Sequence, residues 1–448
     1  METRKIIVKV KGYGQIKANG GTPGKVMRSI SLDTRQFNII LVKKTEHALH
    51  YVATPKDDPA GQAAVANLVM TDAVTGVVVK GDKPEKKSGK GKEPKDVVVT
   101  VPRVIFTQAL TVATQVCGKQ PAILASIRVE CTGTSLILQA SDLEISYQRI
   151  LPAEGEKVVR CIPADLLASE VKALPANVAD VILTFKVDTV SVNGRAAIVT
   201  GDAEEFPTVD IPEAFADTEL TYVDDLAAGL AAVLPAASSD DTRFILTGVF
   251  VDLDKQKVVA TDGMRLHTYP IKPKGDAKGH ANVPTKAVKI LLKNGWNQQM
   301  VLSETEQNHY FSARLSGGIL RSKLIEGNYP DYENVMPKAL PHAVSFSHKE
   351  FVDMVSGAKP LAEGKAIDIK IGDDQLVLKA SSSLGIYEWH IPCERKGNNG
   401  IGQEMTFNLQ FLLDAMKSYP RETVTLKYPK VYGATLVNDQ AVVMPIRK

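Results

Sequence analysis

The stretch Ser135-Leu-Ile-Leu-Gln-Ala-Ser-Asp142 is matched twice more along the chain, by Gln256-Lys-Val-Val-Ala-Thr-Asp262 and by Gln375-Leu-Val-Leu-Lys-Ala-Ser-Ser382. Each copy alternates in the manner of a half-buried β-strand and ends on an alanine followed by a hydroxyl residue. The three alanines are spaced 120 residues apart. A repeat of this period indicates one structural unit that is used three times.

A second set of equivalent positions along the chain supports the repeat. Pro163, Pro284 and Asn408 each follow an apolar strand and precede a run with apolar residues on one helix face. Proline is well tolerated at the first helical position, because its missing N–H costs no hydrogen bond there. We therefore predict an α+β fold of three modules, each with a helix, strands, a second helix and further strands. The expected modules are residues 97–215, 216–340 and 341–448.

The first 96 residues differ from this repeated body. Residues 80–96 contain seven lysines, four acids and no large apolar side chain, which predicts a flexible linker. Residues 1–79 are expected to form a small, basic, β-rich domain with strands at 6–10, 37–42, 49–52 and 74–79 and one helix at 61–70. Such a domain could bind nucleic acid or a partner protein, or it could serve only as an appendage for folding or solubility.

The formal net charge of +3 hides an asymmetry along the chain. The first 100 residues carry 18 basic and 10 acidic side chains, whereas the other 348 carry 36 basic and 41 acidic ones. A basic N-terminal part is therefore joined to a mildly acidic body. The hydrophobic share of 44% and the charged share of 23% are typical of a globular protein and exclude a disordered or fibrous one.

Several functional classes are excluded by the sequence. No apolar run approaches the ~20 residues of a membrane span, and no apolar segment of a signal peptide follows the N-terminus. Four widely spaced cysteines predict buried free thiols in a reducing cytoplasm rather than a zinc site or a disulfide framework. The spacing of the histidines fits no metal or catalytic motif, so we expect no enzyme activity, no metal and no cofactor.

Three further motifs carry a family resemblance. They are Gly248-Val-Phe-Val-Asp252 with Val258-Val-Ala-Thr-Asp-Gly-Met-Arg-Leu266, then Ser322-Lys-Leu-Ile-Glu-Gly-Asn-Tyr-Pro-Asp-Tyr332, and the ending Val442-Val-Met-Pro-Ile-Arg447. Together they resemble the bacterial sliding clamp, the β subunit of DNA polymerase III, over residues 101–448. The resemblance implies a head-to-tail homodimer in which six modules close a ring, with helices lining the hole and sheets outside.

The resemblance also implies a function. Such a ring encircles duplex DNA without sequence preference and makes a polymerase processive by topology, so a mildly acidic body is compatible with DNA binding. Its partners are the replicative DNA polymerase, the clamp loader and repair proteins, each bound through a short peptide. The expected location is the cytoplasm, at the nucleoid. The alternative is a clamp-fold binding module that does not encircle DNA and instead sequesters or recruits clamp-binding proteins.

The family's functional positions can be carried over residue by residue. The partner-peptide pocket is expected to comprise Leu246, Thr261, Gly263, Met264, Arg265, Leu266, Pro330, Val335, Val442, Val443, Met444, Pro445, Ile446 and Arg447. Its aliphatic and Met side chains suit an adaptable apolar groove, and its two arginines are expected to reach peptide carbonyls or a carboxylate. The family often has His or Ala where Met264 stands, which implies a shifted peptide preference.

Two other sets follow from the same resemblance. The residues expected to face DNA are Lys119, Arg243, Lys286, Lys338 and Lys349. The residues expected at the dimer interface are Arg195, Ile198, Lys359 and Pro360. Relatives pair a basic strand of the first module with acids of the third, but residues 381–390 of this chain contain one acid, Glu388. The sequence therefore does not support the charge-pairing part of that contact, and the dimer could be more apolar, weaker or differently made than in those relatives.

Overall fold

The computed structural model describes residues 96–207, 221–275, 278–304, 309–315, 317–396 and 400–447, together with the backbone of five strands in the first 95 residues. The chain divides into two compact units, Met1–Lys92 and Glu93–Lys448. The predicted linker at residues 80–96 lies outside the described residues except for its last position. None of the described helices has the length and apolar character that a membrane span requires.

The N-terminal unit contains two small antiparallel sheets. Strands β1 (Lys5–Lys9) and β2 (Ser29–Asp33) form one, and β3 (Phe37–Lys44), β4 (Leu49–Pro55) and β5 (Ala66–Met70) form the other. The helix predicted for residues 61–70 was wrong where it overlaps β5, because pairing of that segment with β4 outweighs the helix propensity of its alanines. The strand predicted at 74–79 lies outside the described residues.

The second unit begins with a complete copy of the repeat. Its elements are β6 (Val97–Pro102), α1 (Arg103–Val116), β7 (Ser126–Cys131), β8 (Ser135–Ser141), β9 (Ile145–Pro152), β10 (Glu154–Gly155), β11 (Val158–Pro163), α2 (Ala164–Lys172), β12 (Asp180–Phe185), β13 (Thr189–Val192) and β14 (Ala197–Val199). Pro163 is the last residue of β11 and precedes the first helical position by one residue.

The same order of elements follows twice more, except that the third copy has no separate counterpart of the two-residue strands β10 and β19 among the described residues. The second copy comprises β15 (Thr221–Asp224), α3 (Leu226–Val233), β16 (Gly248–Asp252), β17 (Lys257–Thr261), β18 (Arg265–Pro270), β19 (Lys272–Pro273), β20 (His280–Pro284), α4 (Thr285–Lys293), β21 (Trp296–Glu304), β22 (His309–Leu315) and β23 (Gly318–Lys323). The third comprises β24 (His342–Ser347), α5 (His348–Ala358), β25 (Ala366–Ile371), β26 (Gln375–Ser382), β27 (Gly385–Lys396), β28 (Glu404–Asn408), α6 (Leu409–Ser418), β29 (Thr423–Tyr428), β30 (Thr435–Val437) and β31 (Ala441–Val443). The predicted α+β repeat is confirmed, whereas the boundaries at 215/216 and 340/341 stay a prediction.

Local sequence explains where the helices begin. The Ser347 hydroxyl accepts a hydrogen bond from the Glu350 N–H, as in one half of a capping box at the start of α5. The Asn408 side chain accepts bonds from the N–H groups of Gln410 and Phe411 at the start of α6. Apolar residues on one face of each helix then pack against a sheet.

Two of the sheets cross from one copy of the repeat to the next. A nine-stranded sheet runs β11-β7-β8-β9-β23-β22-β21-β15-β19, and a twelve-stranded sheet runs β20-β16-β17-β18-β31-β30-β29-β24-β27-β26-β25-β28. The crossings are the antiparallel pairs β9–β23 and β18–β31, which are equivalent in the repeat. A separate five-stranded sheet, β10-β6-β12-β13-β14, ends at β14.

The six helices pack in the order α2–α1–α4–α3–α6–α5. In the third copy, α5 and α6 cover the sheet face that carries Val344 and Phe346. The opposite face carries Leu266, Leu436 and Val442, which pack under Tyr332 of the segment that joins β23 to β24. We call these two sides the helix face and the connector face.

The cysteines are free thiols, as predicted. Cys131 and Cys161 are buried, but Cys117 and Cys393 are half-buried, so the expectation that all four are buried was wrong for these two. Burial raises the pKa of Cys117 to about 12 and that of Cys161 to about 11. Both therefore remain protonated and unreactive at neutral pH.

The β9–β23 junction depends on Gly318. A Cβ at this position would lie 2.7 Å from the Tyr147 ring and 2.8 Å from the Gln148 carbonyl oxygen. We expect Gly318→Ala to lower the free energy of unfolding by about 1–3 kcal/mol, the usual cost of overpacking. Gly201→Ala is the matched control, because its Cβ would meet its nearest neighbour at an ordinary 3.6 Å. Equal urea midpoints for the two variants would contradict this account of the junction.

Candidate peptide-binding site

An apolar cavity of about 150 Å³ opens on the connector face, where β18 pairs with β31. It is lined by Leu246, Thr261, Gly263, Met264, Arg265, Leu266, Pro330, Tyr332, Val335, Val442 and Met444. Ten of these are among the residues that the sequence predicts, and Tyr332 is the addition. We call this cavity the apolar pocket.

The strand pairing brings the two chain segments of the pocket together. Leu266 of β18 lies directly opposite Val442 of β31, and the Met444 N–H donates to the Met264 carbonyl oxygen at 3.0 Å. Residues 180 positions apart in the sequence thereby share one surface. Met264 and Val335 are 59% and 53% exposed at the rim, so their apolar surface is available to a ligand.

A tight turn between β17 and β18 shapes one end of the pocket. The Asp262 carboxylate accepts bonds from the N–H groups of Met264 and Arg265, at 2.9 and 3.0 Å. The Thr261 hydroxyl accepts a bond from Gly263 N–H at 3.1 Å. Gly263 has φ +86°, a left-handed conformation that glycine adopts without steric cost.

The opposite wall is held by the buried Tyr332 and by two half-buried aromatic residues, Phe250 and Tyr329. The Tyr332 hydroxyl donates to the Asp252 carboxylate at 3.0 Å, and Tyr329 stacks on Phe250 with ring centroids 4.5 Å apart. Burial and the Asp252 carboxylate hold the pKa of Tyr332 well above its ordinary value, so its hydroxyl stays a donor. Tyr332 belongs to the motif at residues 322–332, which was the available signal for it.

Arg265 lines the apolar pocket, but its guanidinium is held by contacts within the chain, and its role as a peptide ligand stays a prediction. Its guanidinium donates to Asp262 at 3.0 Å, to Asp414 of α6 at 2.5 Å and to the Pro235 carbonyl oxygen, and it stacks over Phe411 at 4.2 Å. Its side chain is only 10% exposed. Arg265 therefore joins the second copy of the repeat to the third and supports the pocket from behind.

Four predicted residues of the C-terminus lie outside the apolar pocket. Val443 alternates with Val442 and is buried on the helix face. Pro445, Ile446 and Arg447 line a separate groove of about 750 Å³ with residues 403–406 at the start of β28 and with Lys430, Val431, Tyr432 and Gly433. Sequence reasoning missed this groove, because no motif marks the loop at residues 430–433.

The C-terminal segment is fixed between the pocket and the groove. The Ile446 N–H donates to the Thr406 carbonyl oxygen at 2.7 Å, and the Tyr432 hydroxyl donates to the Pro445 carbonyl oxygen. The Arg447 guanidinium lies 4.9 Å from the Tyr432 ring centroid. A ligand that leaves the apolar pocket over Met444 therefore meets the groove next.

The equivalent junction between the first and second copies has different chemistry. There the Lys323 N–H donates to the Glu144 carbonyl oxygen at 2.9 Å, as Met444 does to Met264. Glu144 and Lys323 also approach each other as an ion pair at 3.5 Å. Charged residues thus replace Met264 and Met444, which explains why the apolar pocket forms at the β18–β31 junction.

The residues predicted to face DNA do not form one set. Lys119 follows α1 and Lys349 begins α5, and both are exposed near the helices. Lys286 donates to the Val116 carbonyl oxygen at 3.0 Å and to the Asp142 carboxylate, so it joins the first two copies of the repeat. The DNA-facing role of Lys119 and Lys349 stays a prediction.

Arg243 and Lys338 correct that prediction. Arg243 donates to the Asp262 carbonyl oxygen at 2.8 Å and lies beside the turn of the apolar pocket, away from the helices. Lys338 lies on the segment that crosses the connector face. If the helices line a central hole, neither residue faces DNA, because both are held by segments of the opposite side.

The predicted dimer residues include one that is buried. Ile198 of β14 is 4% exposed within the core, because side chains alternate along a strand. Its neighbours Ala197 and Val199 are exposed instead. Arg195 is exposed and donates to the Ala173 carbonyl oxygen at 2.9 Å, and Lys359 and Pro360 are exposed after α5. No group of three potential metal ligands occurs among the residues that the structure describes.

The ion pair behind the pocket makes a testable contribution to stability. We expect Asp414→Ala to lower the free energy of unfolding by about 3 kcal/mol, because it leaves the buried Arg265 cation with one carboxylate instead of two. The control is Asp353→Ala, which breaks the exposed Lys349–Asp353 pair and should change stability by less than about 0.5 kcal/mol. Similar losses in both variants, measured by urea unfolding, would contradict this role of Arg265.

Comparisons with known proteins agree with this geometry. Residues 98–210 match the family model "DNA polymerase III beta subunit, N-terminal domain", and residues 223–331 match the model of its central domain. The beta sliding clamp of Haemophilus influenzae is 24% identical over 353 residues, which cover 74% of this chain and 96% of that protein.

Solved structures share the fold. The Thermotoga maritima beta subunit superimposes with a TM-score of 0.69 at 22% identity, over 79% of this chain and 100% of that one. The Caulobacter structure described as "C. crescentus beta sliding clamp with PEG bound to putative beta-motif tethering region" gives 0.69 at 23% identity, over 79% and 99% of the two chains. The chain therefore belongs to the family of the DNA polymerase III beta subunit, the bacterial beta sliding clamp.

Proposed function

We propose that two copies of this chain form a closed ring that encircles duplex DNA and tethers a DNA polymerase to it. One observation carries this proposal: the strand pairing that joins the copies of the repeat is left unfinished at both ends of the body. The protein acts as a processivity factor and not as an enzyme, in keeping with the family to which it belongs.

The unfinished ends are complementary in the repeat. β9 pairs with β23 and β18 pairs with β31, so the next equivalent pair would be β27 with β14. Within the described chain, β14 ends its sheet, and residues 385–392 of β27 pair with β26 alone. A second copy can supply the missing partner at each end, and a head-to-tail contact repeated twice closes a ring.

The side chains at these two edges suit such a contact. Val199 of β14 is 69% exposed, and Ile386 and Trp389 of β27 are 66% and 44% exposed. Burying them against one another removes apolar surface from water and covers two edges that would otherwise favour aggregation. This contact is largely apolar, in agreement with the weak charge pairing expected from the sequence.

Topology removes the need for a strongly basic DNA-binding surface. A protein that neutralises many phosphates binds tightly and with strong salt dependence, which opposes sliding. A ring remains on DNA because it is closed, so exposed lysines near the helices, such as Lys119 and Lys349, need to make only transient contacts. The mildly acidic body agrees with this mode of binding.

The apolar pocket is the proposed attachment point for partners. Its aliphatic and Met lining fits large apolar side chains of a short peptide, and such anchors usually carry most of the binding energy. We propose that this peptide belongs to the replicative polymerase, the clamp loader and repair proteins. A micromolar contact, about −8 kcal/mol, would allow them to exchange. We place the protein in the cytoplasm at the nucleoid, where the DNA that it is proposed to encircle lies.

The pocket makes a direct prediction. Met444→Ala combined with Val335→Ser should lower the affinity for a labelled peptide that carries a clamp-binding motif at least tenfold. The reason is that both changes remove apolar lining of the pocket without disturbing the core. Fluorescence anisotropy with the full chain measures the affinity. Val104→Ala, an exposed valine at the start of α1, is the control and should bind like the wild type. An unchanged affinity in the double variant would refute the pocket assignment.

The ring makes a second prediction. Sedimentation at micromolar concentration should show a dimer, and Val199→Glu combined with Ile386→Glu should yield monomers, because it places like charges in the apolar contact. The monomers should still bind the motif peptide, since the apolar pocket lies in one chain. A wild type that stays monomeric and is never retained on circular DNA would instead favour the alternative, a clamp-fold module that sequesters or recruits clamp-binding proteins.

A further inference from the structure

The apolar pocket lies in a row of residues that crosses six adjacent strands. Directly paired positions share one face of a sheet. The registers of β18, β31, β30, β29, β24 and β27 place Leu266, Val442, Leu436, Lys427, Ala343 and Lys396 side by side in that order. The row therefore begins in the apolar pocket and ends, on the same connector face, between lysines.

The lysines at the end of the row line a cavity of about 400 Å³. Its floor is Ala343, whose methyl group leaves the space between Lys396 and Lys427 open. With strands ~4.8 Å apart, these two lysines are rooted ~10 Å from each other. One wall is formed by residues 337–341, where Pro337 and Pro341 restrict the backbone. We call this space the basic cavity.

The charge of the basic cavity is unbalanced. Among the described residues that line it, Lys338, Lys396 and Lys427 are basic and Asp439 is the one acid. The Lys427 ammonium lies 2.6 Å from an Asp439 carboxylate oxygen, which leaves two positive charges in excess. An anionic group that enters would be attracted by both, and more strongly at low ionic strength.

We propose that the basic cavity binds an acidic side chain of the same partner polypeptide whose apolar anchors occupy the apolar pocket. This inference rests on the proposed function, and it adds a second element to the recognised peptide. Duplex DNA inside a ring would lie on the helix side, whereas the cavity is on the connector face. A partner polypeptide whose apolar anchors already contact Leu266 and Val442 is therefore the nearest molecule that can supply an anionic group to the basic cavity.

The strand spacing sets the shortest distance between the apolar anchor and the acidic residue of the peptide. Val442 and Lys427 are two strands apart, or ~10 Å, and Val442 and Lys396 are four strands apart, or ~19 Å. An extended peptide advances ~3.3 Å per residue. The segment that joins β23 to β24 covers Leu436 between the two sites, so the peptide has to pass over it and these distances are lower limits. The acidic residue should therefore lie at least three to six residues from the apolar anchor.

The experiment compares three kinds of labelled peptide on the full-length chain by fluorescence anisotropy. The first carries a clamp-binding motif alone, and the other two add a Gly/Ser spacer ending in two Glu residues, placed before or after the motif. Each extended peptide has a matched version with Gln in place of Glu. We expect one of the two Glu extensions to bind about fivefold more tightly than its Gln version at low salt, with the difference lost at high salt.

Matched variants locate the effect. Lys396→Gln combined with Lys427→Gln should abolish the preference for Glu over Gln but leave the affinity for the motif alone unchanged. Lys172→Gln combined with Lys186→Gln removes two exposed lysines from the first copy of the repeat and should retain the preference. Urea unfolding of each variant checks that the fold is intact.

The possible results separate the two proposals. Equal binding of the Glu and Gln peptides to the wild type, at both ends, would overturn the basic cavity while the binding of the motif alone still supports the apolar pocket. A preference that survives in Lys396→Gln/Lys427→Gln would also overturn it. Failure of every peptide to bind the wild type would overturn the proposed function and this inference together.

Discussion

The pairing of strand edges is the constraint on which the rest of this structure depends. An unpaired edge leaves a row of backbone N–H and C=O groups that must be satisfied or protected. The chain satisfies two such edges internally, by β9–β23 and β18–β31, and so joins three copies of one unit into a continuous body. Within the described residues, the same geometry leaves β14 with one strand partner and residues 385–392 of β27 paired with β26 alone, and these two edges are the basis of the proposed dimer.

The functional surface arises at one of these junctions because its side chains differ from those of the other. Equivalent backbone hydrogen bonds occur at both, but Met264 and Met444 at one are replaced by Glu144 and Lys323 at the other. Buried ionic contacts from Arg265 to Asp262 and Asp414 then hold the apolar pocket against α6. A single repeated framework thus supports a candidate binding site at one junction and a structural contact at the other.

The lysines likewise differ between the connector face and the junctions between copies of the repeat. Lysines on the connector face gather at the end of the row that begins in the apolar pocket, whereas Lys286 is neutralised by Asp142 between two copies of the repeat. The net charge of the chain therefore says little about where it binds DNA or protein. The position of each lysine relative to the sheet decides whether its charge is available to a ligand.

The sequence by itself determined the α+β class and the threefold repeat, because these depend on periodicity. Most residues that line the apolar pocket followed from the family resemblance, which local motifs such as residues 258–266 and 322–332 carry. The sequence did not determine which arginine or lysine would be free: Arg265, Arg243 and Lys286 are each held by carbonyl or carboxylate oxygens far away in the chain. Nor did it separate Val442 from Val443, or Ile198 from Val199, because a strand's two faces differ only once its register is fixed. The groove around Tyr432 and the basic cavity at Ala343 likewise exist only in the folded protein, because each is assembled by pairing strands that are distant in the sequence.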